Sequence, residues 1–269
     1  MKTRLHLGEI QRLLKEYEPI CICLQHVNTP VETIWKYSLA TQSVPEEGTL
    51  GTAIYVHHKI IYDKIVVNNN YFQNSVIKLH LRDNKLITLC NIYNQPSQNY
   101  NLNILPNFLN NLQQPLVIVG DFNAHHPLWD INVTNADENG EQIENLLLNN
   151  NFCCLNEEDS PTYFSRTHGS FSSVDLSLCS GSIVDMFDWH VLVDNFTSDH
   201  YPVIINQLSD CPPLRLPKYN FEKANWKIYS KITENIEVFQ SSKEHNEINA
   251  DFTKFIINSA KKKYPINII

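Results

Sequence analysis

The chain has 269 residues, 42% of them hydrophobic and 19% charged. That is enough apolar material for one large core and too little charge for wholesale disorder. The formal net charge of -8 disfavours nucleic acid as a partner unless basic residues gather on one face, because phosphate is bound mainly by Lys and Arg.

The opening residues MKTRLHLGEIQRLLKEYEPI lack the long apolar centre of a signal peptide. No stretch approaches the roughly 20 apolar residues of a membrane span. Seven cysteines, mostly inside apolar runs and without paired CxxC knuckles, read as reduced buried thiols. The expectation is an intracellular protein, nuclear or cytoplasmic, that does not engage a membrane.

Leu5, Leu7, Ile10, Leu13 and Leu14 recur at helical spacing and predict an amphipathic helix over 5–17. Glu18-Pro19 ends it, and ICICLQ (20–25) reads as a buried strand. TAIYVHH (52–58), IIYDKIVV (60–67), SVIKLHLR (75–82) and LITLCNIY (86–93) are rich in β-branched residues and predict a meander. A loop at 94–99 precedes a helix over 100–112 and a strand over 116–119. Gly140 to Asn150 predicts a further helix with Ile143, Leu146, Leu147 and Leu148 facing inward, and short strands follow near 170–178, 189–193 and 202–207. Cys211-Pro212-Pro213 and Pro217 break regular structure. The expected division is therefore a domain over 1–208 and a helical extension over 209–269, with helices at 221–240 and 245–263. The Lys261–Lys263 run near the end reads as a solvated helix face.

The stretch LVIVGDFNAHHPLWD (116–130) carries the most chemistry. A buried strand exits sharply at Gly120 and presents Asp121 and Asn123 at its end. An Asp so placed can bind a divalent metal or take a proton from water, and an Asn can donate to a phosphoryl oxygen. The plain alternative is an Asx turn after a core strand. FSSVDLSLCS (171–180) and TSDHYPVII (197–205) follow in order, each setting an Asp or an Asp-His pair beside a short apolar run. Three strand-edge acidic motifs in one chain count against the plain alternative.

The order GDFN, SxVDL, SDHYPV resembles the endonuclease/exonuclease/phosphatase superfamily. More narrowly, GDFNAHHPLWD with PTYFSRTHGSFSSVDLSLCS resembles the endonuclease domain of jockey-type non-LTR retrotransposons, over most of residues 5–208. The resemblance implies an α/β (α+β) fold, a four-layered β-sandwich flanked by helices, DNase I-like. It implies a divalent-metal-dependent DNA endonuclease that nicks its target, with Mg²⁺ as cofactor and DNA as partner. Carried over residue by residue, Asp121 orients or deprotonates the attacking water and Asn123 steadies that geometry. His200 contacts the scissile phosphate, Asp175 fixes the tautomer of His200, and Tyr93 hydrogen-bonds the phosphate. Asp199 lies near the metal, and His125 is a substrate contact. FEKANWKIY resembles the connector toward a reverse transcriptase, which the given sequence does not contain.

Two departures stand out. ICICLQHVNTP places His26 where the family carries a metal-binding Glu. His26 is expected there as a metal ligand: an imidazole can bind a transition metal but is a poor substitute for a carboxylate toward hard Mg²⁺, so Mg²⁺ affinity should fall or the preference shift toward Mn²⁺. The family's first strand, with its catalytic Asn, is also missing ahead of the first helix, as in a copy truncated at its N-terminus. The loop after Tyr93 reads Asn94-Gln95-Pro96-Ser97 rather than the family's usual form. Two readings stay open: a working endonuclease, or a catalytically impaired remnant that at most binds nucleic acid. Oligomeric state is not legible.

Overall fold

The computed structural model describes residues 7–28, 32–43, 50–67, 72–81, 85–96 and 102–208. Everything beyond 208, including the expected extension, its helices and the lysine run, lies outside the described residues.

The elements in chain order are α1 (Leu7–Tyr17), β1 (Cys21–Val27), β2 (Thr33–Ile34), β3 (Tyr37–Gln42), β4 (Gly51–His57), β5 (Tyr62–Ile65), β6 (Gln73–His80) and β7 (Leu86–Tyr93). They continue with α2 (Leu105–Asn110), β8 (Leu116–Asp121), α3 (Glu138–Asn149), β9 (Phe152–Cys154), β10 (Tyr163–Ser165), β11 (Ser170–Ser172), β12 (Asp175–Ser180), β13 (Phe187–Val191) and β14 (Val203–Gln207). One sheet has six strands in the order β5-β6-β7-β8-β12-β9. A four-stranded sheet, β1-β4-β3-β2, faces it, and β13 and β14 form a separate pair.

Strand alternation shows how the layers stack. On β8, Leu116 and Ile118 point to an outer cluster with Leu105, Leu109, Ile143 and Leu146 of α2 and α3. Val117 and Val119 point the other way, into a central cluster with Ile54 and Val56 of β4. The opposite face of β4, Ala53 and Tyr55, packs on Ile10, Leu13 and Leu14 of α1. Helix, sheet, sheet and helices thus make four layers, the α+β arrangement of DNase I-like endonucleases. Each fully buried Leu or Ile contributes roughly 1.5–3 kcal/mol, so α1 is held by its three inward residues rather than by its length. No helix among the described residues is long and apolar enough to cross a membrane.

Several expectations change in detail. The four strands from 52 to 93 do not form one meander: β5, β6 and β7 pair in succession, but β4 belongs to the facing sheet. The run expected as one strand near 170–178 is two, β11 in a hairpin with β10 and β12 in the six-stranded sheet. Leu148 is 73% exposed, and α3 turns Ile143, Leu146 and Leu147 inward. Strands β2, β3 and β9 were not legible. In β3 a register shift between Leu39 and Thr41 breaks the alternation, and the other two are only two and three residues long.

Gly120 has φ 148°, and a Cβ there would lie 1.8 Å from the carbonyl oxygen of Ile92. Only glycine lets β8 approach β7 closely at the point where β8 ends.

Candidate active site

Strands β7 and β8 run parallel and β12 antiparallel to β8, so Tyr93 pairs with Asp121 and Asp121 with Asp175. By alternation these three residues share the face that looks between the two sheets, as Val117 and Val119 do. The register alone therefore sets a phenol and two carboxylates in a row at one end of the sandwich.

His200 reaches the row from a different element. The segment before it turns tightly: Phe196 and Thr197 both have positive φ (49° and 65°), and Asp194 and Asn195 side chains accept the backbone N–H groups of these two residues. The β10–β11 hairpin then seats the motif. Phe164 N–H donates to the Asp199 carbonyl and Tyr201 N–H to the Thr162 carbonyl, while the Tyr163 and His200 rings lie 4.8 Å apart. His200 Nδ1 is 2.8 Å from Asp175 Oδ2. Nδ1 is so engaged, which leaves Nε2 for a ligand.

His26 arrives by a bulge. Cys21 and Cys23 of β1 face the central cluster, and Ile22 and Leu24 face α1. Strict alternation would send residue 26 toward α1. The register instead shifts between Leu24 and Val27, His26 takes φ 58°, and its Nε2 lies 3.0 Å from Asp121 Oδ2. A bulge re-aims a side chain in this way, at the cost of a left-handed backbone that a non-glycine residue rarely adopts. The His26 ring is 4.4 Å from Tyr93 and 5.6 Å from His200.

Asn91 holds that bulge, and the sequence reading did not single it out. It is fully buried, accepts from Gln25 Nε2 at 2.6 Å, and donates to the carbonyls of Leu24 at 3.0 Å and Ala53 at 3.2 Å. Its signal was a lone amide inside the apolar run LITLCNIY, since a buried amide needs partners. Gln25, adjacent to His26, is thus a tether between the sheets. Asn94 and Asn139 were also missed. Asn123 Nδ2 donates to the Asn94 carbonyl, and Asn139 Nδ2 to the Asn123 carbonyl. Asn123 N–H donates to Asp121 Oδ1 at 3.1 Å.

Two expected site residues are not in the converging group of His26, Asp121 and His200. Asp199 gives its backbone carbonyl to Phe164 and lies near enough for its charge to act on His200. His125 is partly buried, and its N–H donates to Asp137, the residue that caps α3. Its neighbour His126 accepts from Leu128 N–H and lies 3.5 Å from Glu144, so the adjacent histidines do not act as a pair.

The electrostatics are those of a crowded, partly desolvated centre. Burial works against the charged form of His200, but the charge and hydrogen bond of Asp175, with the charges of Asp121 and Asp199, raise it to about 9. In the cation-free site this favours the charged form of His200. Burial pushes the Asp121 carboxyl up, and the Asp175 charge adds to this, against the hydrogen bond from His26. A carboxylate so placed is a stronger base than an exposed one.

Among the described residues, His26, Asp121 and His200 each bring one ligand atom within 4.8 Å of the others. This is a group able to hold a divalent metal. Mg²⁺ takes oxygen ligands in near-octahedral geometry. Two imidazoles and one carboxylate do not fit it.

The fold is α+β and DNase I-like, with Asp121, Asp175, His200 and Tyr93 meeting at one end of the β-sandwich. Residues 87–204 match the family described as endonuclease-reverse transcriptase. A probable RNA-directed DNA polymerase from transposon X-element of Drosophila melanogaster is 27% identical over 153 residues, 57% of this chain. The match spans only 16% of that curated relative's length. The endonuclease domain of TRAS1, a telomere-specific non-LTR retrotransposon, superposes with a TM-score of 0.63 at 23% identity, over 77% of this chain and 93% of that one. The catalytic domain of Xenopus laevis APE2 gives 0.56 at 16% identity, over 78% and 89%. The 3'-5' exonuclease NExo of Neisseria meningitidis gives 0.59 at 16% identity, over 76% and 94%. Over residues 87–204 the chain is similar to that endonuclease-reverse transcriptase family, and its fold is that of the retrotransposon endonuclease domain and the other nucleases above.

Proposed function

We propose that this protein is a divalent-metal-dependent DNA endonuclease of retrotransposon origin, which hydrolyses one phosphodiester bond and leaves a nick. The observation that carries the reading is the meeting of Asp121, Asp175, His200 and Tyr93 from four separate segments at one end of the sandwich. Asp121 accepts the proton of the attacking water, its basicity raised by burial. Asn123, pinned between Asp121, Asn94 and Asn139, keeps that carboxylate in place. His200, oriented by Asp175 through Nδ1, stabilises the developing negative charge on the phosphoryl group, by its own charge when no cation is bound and through the cation on Nε2 when one is. Tyr93 stands beside Asp121 in the register to contact the same phosphate. His125, Asp199 and a DNA-bearing surface belong to the proposal as flanking contacts.

The test is nicking of supercoiled plasmid with Mg²⁺ and, separately, Mn²⁺. Asp121→Ala and His200→Ala should each lose at least about a hundredfold of the parent's activity. Equal activity in the variants and the parent would overturn the assignment. His26 favours a second reading, an impaired remnant that binds nucleic acid. A folded protein that retards DNA and nicks it with neither metal would be that remnant.

A further inference from the structure

We propose that His26, Asp121 and His200 form a chelating site for a first-row transition cation, of the Zn²⁺, Co²⁺ and Mn²⁺ class, in preference to Mg²⁺. The inference rests on the candidate site described above, but not on its hydrolytic activity.

The donor set points there first. His26 Nε2 already faces Asp121 Oδ2 at 3.0 Å. The Nδ1 atom of His200 is taken by Asp175, so Nε2 is the ligand once the cation displaces its proton, and the histidine keeps the carboxylate partner that orients metal-binding imidazoles. Two imidazole nitrogens and one carboxylate oxygen suit borderline cations, and three protein ligands leave open positions for water or substrate. Mg²⁺ dehydrates reluctantly and wants oxygen.

Geometry agrees. Ligands on a tetrahedral cation at metal distances of roughly 2.0–2.1 Å stand about 3.3 Å apart. The donor atoms here lie within 4.8 Å of one another, so closure shortens the widest separation by at most about 1.5 Å. Asp121 is fixed, its side chain 2% exposed, but the His26 and His200 side chains are 36% and 25% exposed and have room to close. The bulge at Leu24–Val27 gives an independent reason. Without it residue 26 would face α1, so the left-handed backbone of His26 serves to bring this one imidazole to Asp121.

The experiment uses the full chain without a histidine tag, stripped with chelator and then dialysed. Zn²⁺, Co²⁺, Mn²⁺ and Mg²⁺ are titrated separately by calorimetry, and Co²⁺ also by its visible d–d absorption, with no DNA present. Zn²⁺ and Co²⁺ should bind at one site more than about tenfold tighter than Mn²⁺, with Mg²⁺ weaker still. His26→Ala, His200→Gln and Asp121→Asn should each weaken Co²⁺ by more than about tenfold. His57→Ala, in the stacked His57–His58 pair outside the site, should not. His26→Glu should move the preference toward Mg²⁺. Circular dichroism identifies any variant that has lost its fold, and the other variants then carry the test. Mg²⁺ binding as tightly as Co²⁺, or unchanged Co²⁺ binding in folded His26→Ala, would overturn the inference. Because no DNA is cleaved, a protein that chelates Co²⁺ but fails to nick would sink only the proposed endonuclease.

Discussion

Asn91→Ala tests the link between fold and site most directly. The side chain is fully buried on the face of β7 that looks between the sheets. Truncation removes three hydrogen bonds, at 2.6 Å with Gln25, 3.0 Å with Leu24 and 3.2 Å with Ala53. At a net of roughly 0.5–1.5 kcal/mol each, their loss would cost about 2–4 kcal/mol. A water entering the vacated space can satisfy part of the set, so about 2 kcal/mol is expected, a fall in Tm of about 4–8 °C for a domain of this size. Urea unfolding at constant slope measures the stability, and Co²⁺ titration of the same protein measures the site. With the bulge released, His26 should no longer hold its place beside Asp121, and Co²⁺ affinity should fall although no ligand has been changed. A stability loss below about 0.5 kcal/mol with parental Co²⁺ binding would refute the reasoning, because strand pairing alone would then suffice to hold the bulge.

Three further outcomes are expected. The raised His200 value means that its contribution to stability is full below its ordinary value of 6.5 and is lost as the pH rises through about 9. At about 1.4 kcal/mol per pH unit this amounts to about 3 kcal/mol. Asp175→Asn in chelator should therefore be less stable than the parent near pH 6 and converge with it above pH 9, and a gap of equal size at both ends would contradict this. Asp121→Asn should raise the urea midpoint at neutral pH, since burial and the Asp175 charge penalise its carboxylate, while nicking falls at least about a hundredfold; a destabilised variant would argue against that penalty. Gly120→Ala should cost about 3 kcal/mol or more, since its Cβ would meet the Ile92 carbonyl at 1.8 Å, and a near-parental thermal midpoint would count against the close approach of β7 and β8.

Local pattern was enough to mark the chemistry-bearing strand ends. A four-residue apolar run, a glycine and an Asp read as a buried strand with a polar exit, because alternation and turn chemistry are local properties. Asp121, Asp175 and His200 could be named from such runs. The amphipathic helix α1 and the inward Ile143 and Leu146 of α3 were legible for the same reason.

The tertiary structure decided what local pattern cannot encode. That β4 leaves the meander to join the facing sheet depends on which partner buries its two apolar faces, and both faces of GTAIYVH are apolar. The Tyr93–Asp121–Asp175 row comes from register between strands far apart in the chain. His26 was conspicuous in sequence as a departure, but its alternation pointed it toward α1. Only the bulge, fixed by Asn91 from the opposite sheet, brings it to Asp121. A side chain's direction in a strand follows the period of two until a contact from elsewhere pays to break it. Position in the motif marked His26 as a candidate ligand, but the route by which its ring reaches Asp121 exists only once the two sheets are packed together.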